Sequence, residues 1–225
     1  PVEPRPFKDV AKDATQAAGF LAVPRKDEKA WIAIRPDQFD KPFFFTWNIP
    51  QSLGEKGLYG SQMGGSKLVV LRRIGNQVQL LAKNTEFHAK EGTPQAQFVS
   101  ESFSDSLMAS APVASQPHPE TKAVLVELNA LLFGDIPGYG SRVEAAFRMP
   151  YALDARNTSI ARVTQSESLT GVQVKAHFAV PKIPAPPLTP PPEPMAGPPK
   201  ASPDTRSFFA TVQNSFAKLP DEPLL

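Results

Sequence analysis

The sequence predicts a mainly β protein with a few short helices, built from antiparallel sheets in a sandwich-like or open-barrel-like arrangement. Three observations support this class. Residues 68–74 and 77–82 are strand-like runs separated by Gly75-Asn76, and a type II′ turn requires glycine at its first central position. Residues 172–180 alternate apolar and polar side chains, as a half-buried strand does. No stretch has sustained helical periodicity, so we expect about ten strands.

The Gly75-Asn76 turn fixes the register of its hairpin, because a two-residue loop leaves a single pairing. The predicted partners are Leu71 and Leu80, Val69 and Ala82, Arg73 and Val78, Val70 and Leu81, and Arg72 and Gln79. The base of this ribbon is therefore apolar on both faces and only its tip is polar. We expect its root to lie inside a larger sheet.

Before this hairpin the sequence predicts a helix, a hairpin, a helical turn and a strand. Asp9 is placed to cap a helix that runs through residue 18 and stops at Gly19. Residues 20–23 and 30–34 then pair around the charged turn 25–29, and residues 35–39 form one helical turn. Residues 43–49 form a central strand with both faces covered, because three consecutive phenylalanines on an exposed edge would promote aggregation.

After the hairpin, turn signals separate short elements. The expected strands are residues 83–89, 106–113, 124–128 and 172–180. The expected helical segments are residues 94–102 with Thr93 as N-cap, 129–133, and 142–147 after the glycine-rich segment 134–140. In residues 207–218, as in residues 172–180, apolar side chains recur at positions of one parity, so we expect these two strands to pair.

Between them lies a proline-rich segment, with 11 prolines among residues 181–203. Proline lacks the amide donor that a sheet needs and favours extended polyproline II. We expect an exposed excursion within a single domain that spans residues 1–225.

Composition excludes several function classes. The formal charge is +2, from 24 basic and 22 acidic residues without a basic cluster, which argues against nucleic acid as a partner. No apolar run is long enough to span a membrane, and no signal-peptide pattern follows Pro1. The chain has no cysteine, which excludes disulfides and thiolate chemistry.

No catalytic, cofactor-binding or metal-binding residue can be assigned. Three isolated histidines, His88, His118 and His177, lack the spacing of a zinc site, and we interpret them as surface residues. Residues 138–141 do not form a GxSxG nucleophile elbow, and we interpret residues 101–106 as a helix end running into a turn. The glycines at 54, 57, 60, 64 and 65 indicate a turn-rich connection that lets backbone segments pack closely, since a phosphate loop needs a Lys-Ser/Thr order that is reversed here.

Two aromatic residues are candidates for a partner surface. Trp47 follows the phenylalanine run, and Tyr59 lies in the Gly57-Leu58-Tyr59-Gly60 segment. Core packing is the alternative use of such side chains.

Residues 39–94 and 101–113, with Gly57-Leu58-Tyr59-Gly60 as one of the most specific parts, resemble the N-terminal domain of unknown function that precedes the catalytic domain in bacterial zinc-dependent metalloproteases of the met-zincin kind. The resemblance runs from Pro6 to Pro220. It implies a periplasmic or secreted protein whose zinc motif, HExxH with a third histidine, lies in a protease domain that follows Leu225. It implies no cofactor in this chain.

Two functions follow as expectations. One is a non-catalytic accessory domain that packs on its protease domain and regulates or shapes access to it. The alternative is a free-standing β-rich binding module for a peptide or a cell-surface polymer. Continuation of the reading frame into a helix with HExxH would favour the first.

Overall fold

The computed structural model describes residues 3–15, 18–183, 185, 188–189 and 197–220. It is mostly β, with 41% strand and 15% helix, and its antiparallel sheets include one that curls into a half-barrel. The predicted fold class is therefore confirmed.

The described part of the chain forms eleven strands: β1 Arg25–Lys26, β2 Lys29–Ile34, β3 Phe43–Gln51, β4 Gln62–Ile74, β5 Gln77–Ala82, β6 Ser106–Pro112, β7 Val124–Glu127, β8 Ala152–Leu153, β9 Ser159–Gln165, β10 Leu169–Ala179 and β11 Ser207–Ala217. Its helices are α1 Phe7–Val10, α2 Pro94–Ser102, α3 Leu128–Leu132 and α4 Tyr139–Phe147, with one 3-10 turn, Pro36–Gln38.

The large sheet has the strand order β6-β5-β4-β3-β11-β10-β8, and β9 also pairs with β10. A small sheet has the order β1-β2-β7. Just past the end of β6, Val113 forms a bridge with Val126, and the Ala114 N–H donates to the Leu125 carbonyl at 2.8 Å. This short contact joins the two sheets edge to edge.

The β4–β5 hairpin has the predicted register, with Leu71 opposite Leu80 and Val69 opposite Ala82. Gly75 has a φ of +57°, which the tight turn requires. The base of the ribbon is buried and lies between β3 and β6. The prediction that its root is inside a larger sheet is confirmed.

The strands β10 and β11 pair along their whole length, from Leu169 opposite Ala217 to Ala179 opposite Ser207. The apolar parity read from the sequence faces the core: Val172, Val174, Ala176, Phe178 and Val180 are all buried. The predicted pairing across the proline-rich segment is therefore confirmed.

The inner face of the curled sheet is filled by side chains of α3 and α4. Leu131, Tyr139 and Phe147 belong to the same buried cluster as Phe45 and Phe178. The start of α4 is fixed by the Asp135 carboxylate, which accepts from the Tyr139 and Gly140 amides at 2.8 and 2.7 Å.

Two predictions near the N-terminus are wrong. Asp9 does not cap a helix through residue 18: α1 contains Asp9 and ends at Val10, because the chain turns at Asp13, with φ +61°, and Thr15 bridges to Arg25. The first hairpin turns at residues 27–28, so most of the charged turn is strand, and residues 20–23 contribute only the Ala22–Ala33 bridge.

Two further predictions need correction. Residues 83–89 do not continue β5, because the Asn84 N–H donates to the Asp105 carboxylate at 3.1 Å and the chain leaves the sheet. The strand β3 is central, between β4 and β11, but only one of its faces is covered. Phe43 and Phe45 are buried, whereas Phe44 is 40% exposed on the outer face.

Much of the proline-rich segment, residues 184, 186–187 and 190–196, lies outside the described residues. Its return to the sheet is held in place: the Glu55 carboxylate accepts from the Lys200 and Ala201 amides at 2.7 and 3.1 Å, and the Tyr151 hydroxyl donates to the Thr205 carbonyl. Pro199 is buried. The expectation that residues 181–203 are exposed throughout does not hold at Pro199.

Candidate functional site

A bulge in β4 lies opposite Trp47. Thr46 pairs with Ser66 and Asn48 with Met63, so the single residue Trp47 faces two residues of β4, Gly64 and Gly65. A Cβ added to Gly64 would stand 2.0 Å from the Trp47 carbonyl oxygen, and one added to Gly65 would stand 2.4 Å from the indole ring. These glycines let the tryptophan pack directly on the strand, in agreement with the close-packing interpretation.

Next to the bulge, β4 has an open edge. Its pairing with β5 ends at Val69, opposite Ala82, whereas its pairing with β3 runs on to Gln62. Within the described ranges no strand pairs with residues 62–67 on the side away from β3.

The polar groups of this edge have a defined direction. The Lys83 N–H donates to the Leu68 carbonyl at 2.8 Å, so the backbone groups of Leu68 face β5. Because these groups alternate along an antiparallel strand, the N–H and C=O of Ser66 point to the same, open side.

A cavity of about 650 Å³ adjoins this edge. Its lining combines apolar and polar groups from β3, β4, β5, β6 and the segments that follow β5, α2 and α3: Phe44, Trp47, Ser66, Lys67, Leu68, Ala82, Lys83, Asn84, Thr85, Glu86, Ser104, Ser106, Met108 and Ile136. Its volume falls within the roughly 300–1,000 Å³ of ordinary ligand pockets.

The excursion between β5 and β6, residues 83–105, is here called the arm. A clasp holds its two ends together: the Lys83 ammonium donates to the Asp105 carboxylate at 2.6 Å, beside the bond from the Asn84 amide. Burial alone would raise the pKa of Asp105, but the hydrogen bonds from Lys83 and Asn84 outweigh it and lower that pKa. Residues 101–102 end α2 and residues 103–105 lead into β6, in agreement with the interpretation of this segment as a helix end.

The arm carries an exposed aromatic cluster. The rings of Phe87 and Phe103 stack at 3.8 Å, and Phe98 meets Phe103 edge to face at 6.5 Å. Phe87 is 45% and Phe98 64% exposed, and Leu107 at the start of β6 is 56% exposed. The predicted helix α2, capped by the Thr93 hydroxyl at 3.2 Å from the Ala96 amide, is confirmed, yet it buries none of its residues.

The three histidines lie in different places. The described residues contain no group of three His, Cys, Asp or Glu side chains that could hold a metal ion. His118 stacks edge to face with Phe7 at 4.9 Å, and its Nδ1 accepts from the Glu120 and Thr121 amides. His88 lies in the arm.

His177 is not the ordinary surface residue that we expected, since only 13% of its side chain is exposed. Its Nδ1 lies 3.1 Å from the Asp154 carboxylate, and its backbone N–H donates to the Thr158 hydroxyl. A hydrogen bond from Asn157 at 2.6 Å, with help from His177, lowers the pKa of Asp154. These contacts attach the turn at residues 154–158 to β10, which is a structural role.

The two predicted surface aromatics are in different environments. Trp47 is half-buried and lines the cavity, whereas Tyr59 is exposed in the loop between β3 and β4 and does not line it. Sequence reasoning missed Phe87, Phe98 and Phe103. The sequence analysis placed Phe87 in the predicted strand 83–89 and Phe98 in the predicted helix 94–102, so the one signal was that this short helix has no apolar stripe.

Residues 61–225 match the family described as "Domain of unknown function (DUF5117)". No curated protein and no solved structure matches the chain. None of the helices in the described ranges has the length and apolar character needed to cross a bilayer.

Proposed function

The chain belongs to the DUF5117 family, and we propose that it is a non-catalytic accessory domain of a zinc-dependent metalloprotease that packs on the protease domain of the same polypeptide. The resemblance of residues 39–94 and 101–113 to the domain that precedes such proteases supports this proposal. In this proposal the zinc and the catalytic residues belong to the protease domain, and the polypeptide is periplasmic or secreted.

The observation that carries the docking part of the proposal is the aromatic cluster of the arm. Large exposed aromatics that adjoin one another favour a protein interface, since water contact with Phe87 and Phe98 is unfavourable. The clasp between Lys83 and Asp105 closes the base of the arm, so the cluster is presented from a fixed root. Covering this cluster would stabilise the interface by roughly 25 cal/mol for each Å² of apolar surface removed from water.

An accessory domain docked through the arm would also place the neighbouring cavity and the β4 edge beside the protease domain. Glu86 lines the cavity and directly precedes Phe87 of the cluster, so the two features are contiguous. The domain would thereby shape access to the protease cleft.

The test is binding between this chain and the separately produced protease domain, measured by calorimetry. We expect saturable binding that Phe98→Ala weakens at least fivefold, because the most exposed ring of the cluster supplies much of its apolar contact surface. The control is Phe209→Ala, which removes another exposed phenylalanine ring, three strands away from β5 in the sheet. Absence of binding, or equal weakening by both variants, would contradict the proposal.

A further inference from the structure

The open edge of β4 leaves strong hydrogen-bonding groups without a strand partner. The Ser66 N–H and C=O point to the open side, and residues 62–67 pair only with β3 within the described ranges. A backbone amide and carbonyl in this position favour pairing with another extended chain.

The edge is held in position on its other side. Trp47 packs against Gly65, and the Gln62 side chain accepts from Arg142 at 2.6 Å and donates to the Gly57 carbonyl at 2.7 Å. An edge that is already ordered loses little entropy when a partner binds.

The cavity begins where an added strand would run. Ser66 and Lys67 line it from the edge itself, and Trp47, Met108 and Ile136 supply apolar surface. Because side chains of a strand alternate between two faces, every second residue of an added strand can point into this space.

One charge at the cavity, that of Lys67 on the edge strand, favours an acidic group in the ligand. Lys83 is paired with Asp105, and Glu86 lines the wall formed by the arm. Lys67, on the edge strand, forms no ion pair with any residue that the structure describes. An acidic side chain beside the edge would complement it.

We propose that the β4 edge binds an extended polypeptide segment as an added strand, with an apolar side chain in the cavity and an acidic side chain at Lys67. This binding uses residues 62–67 and the cavity, and it is independent of docking through the arm.

A bulge and a lysine at an edge are also devices by which proteins prevent unwanted strand pairing. Prevention of strand pairing does not require a cavity beside the edge. Here Met63, at the bulge, is 90% exposed, and the cavity adjoins Ser66, so the edge is left accessible.

The probe is reduced and carboxymethylated lactalbumin, which is an unfolded, acidic polypeptide, labelled with a fluorophore; native lactalbumin is the folded control. We expect saturable binding of the unfolded probe alone. Ser66→Pro removes the N–H on the open side, where an edge strand tolerates proline, and should weaken binding at least tenfold. The matched control Ser66→Ala keeps the N–H and should bind as the wild type does.

Hydrogen exchange of the unsubstituted chain gives a second measurement that needs no variant. We expect the Ser66 amide to exchange more slowly when the unfolded probe is bound. Absence of saturable binding, equal affinity of Ser66→Pro and Ser66→Ala, or unchanged exchange at residues 63–67 would overturn the inference. Loss of arm docking in the Phe98→Ala experiment would not affect it.

Discussion

The indole of Trp47 lies so close to Gly65 that a Cβ added there would stand 2.4 Å from the ring. This contact sets the path of β4 at its bulge. It also positions the wall of the cavity, because Trp47 and the neighbouring Ser66 both line that space.

Gly65→Ala should destabilise the protein by about 1–3 kcal/mol, the usual cost of inserting a methyl group into a packed contact. Urea unfolding measures this change. The matched control is Gly134→Ala, because no atom lies within 4 Å of the Cβ it would add. Equal stability of the two variants would show that Trp47 does not restrain β4.

Phe178→Ala should lower the free energy of unfolding by about 3–5 kcal/mol, because it leaves a cavity in the core. The Phe178 ring stacks with Phe208 at 5.4 Å and contacts Tyr139 at the same centroid distance. Phe209→Ala, on the opposite parity of β11, is the control and should cost less than about 1 kcal/mol.

The same unfolding assay tests the proline-rich segment. Replacing residues 184–196 with a short Gly/Ser linker should leave the fold intact, because β10 and β11 pair on both sides of it and each halving of loop length saves about 0.6 kcal/mol. Pro199 stays in this variant because it is buried. If the linker variant were unfolded while Phe178→Ala left the stability unchanged, the proline-rich segment would be part of the core and Phe178 would not.

Much of the sheet could be predicted because its signals are local. The turn at Gly75 sets the β4–β5 register, and the parity of Val172 to Val180 marks the buried face of β10. Each depends only on residues that are near in the chain.

The remaining features depend on contacts between distant residues. Phe44 is exposed because the curled sheet packs one face only, and the Phe43–Phe45 run does not encode that. The strand β5 stops at Ala82 because Asn84 bonds to Asp105, 21 residues on. The aromatics of the arm have the composition of core residues, so their exposure is visible only in the structure.

Asp105→Asn should destabilise the protein at neutral pH by about 1 kcal/mol, because it replaces a charged acceptor at the clasp. The folded-state pKa of Asp105 lies below its unfolded value, so its stabilisation is present above about pH 4 and is lost as pH falls through the folded pKa. The difference from the wild type should therefore shrink in acid.

Thermal unfolding between pH 2 and 7 checks this dependence. Asp37→Asn is the control, since it removes an exposed ion pair with Arg35 and should change stability by less than about 0.5 kcal/mol. A pH-independent effect of Asp105→Asn would mean that the clasp acts through packing alone.

The isolated chain should neither bind zinc tightly nor cleave peptides, because its three histidines lie in separate parts of the structure. Gel filtration after zinc loading, followed by metal analysis, and a casein assay measure both properties. Stoichiometric zinc after filtration, or casein cleavage that one substitution abolishes, would contradict the assignment of catalysis to another domain.

The most direct test of the accessory-domain account is hydrogen exchange of α2 in two forms: the isolated chain, and the longer polypeptide that, in this proposal, contains the protease domain. Because Pro94–Ser102 buries none of its residues in this domain, its amides should exchange quickly in the isolated chain. We predict that they exchange more slowly in the longer polypeptide, together with those of residues 86–88. Equal exchange of these residues in the two forms would contradict docking through the arm.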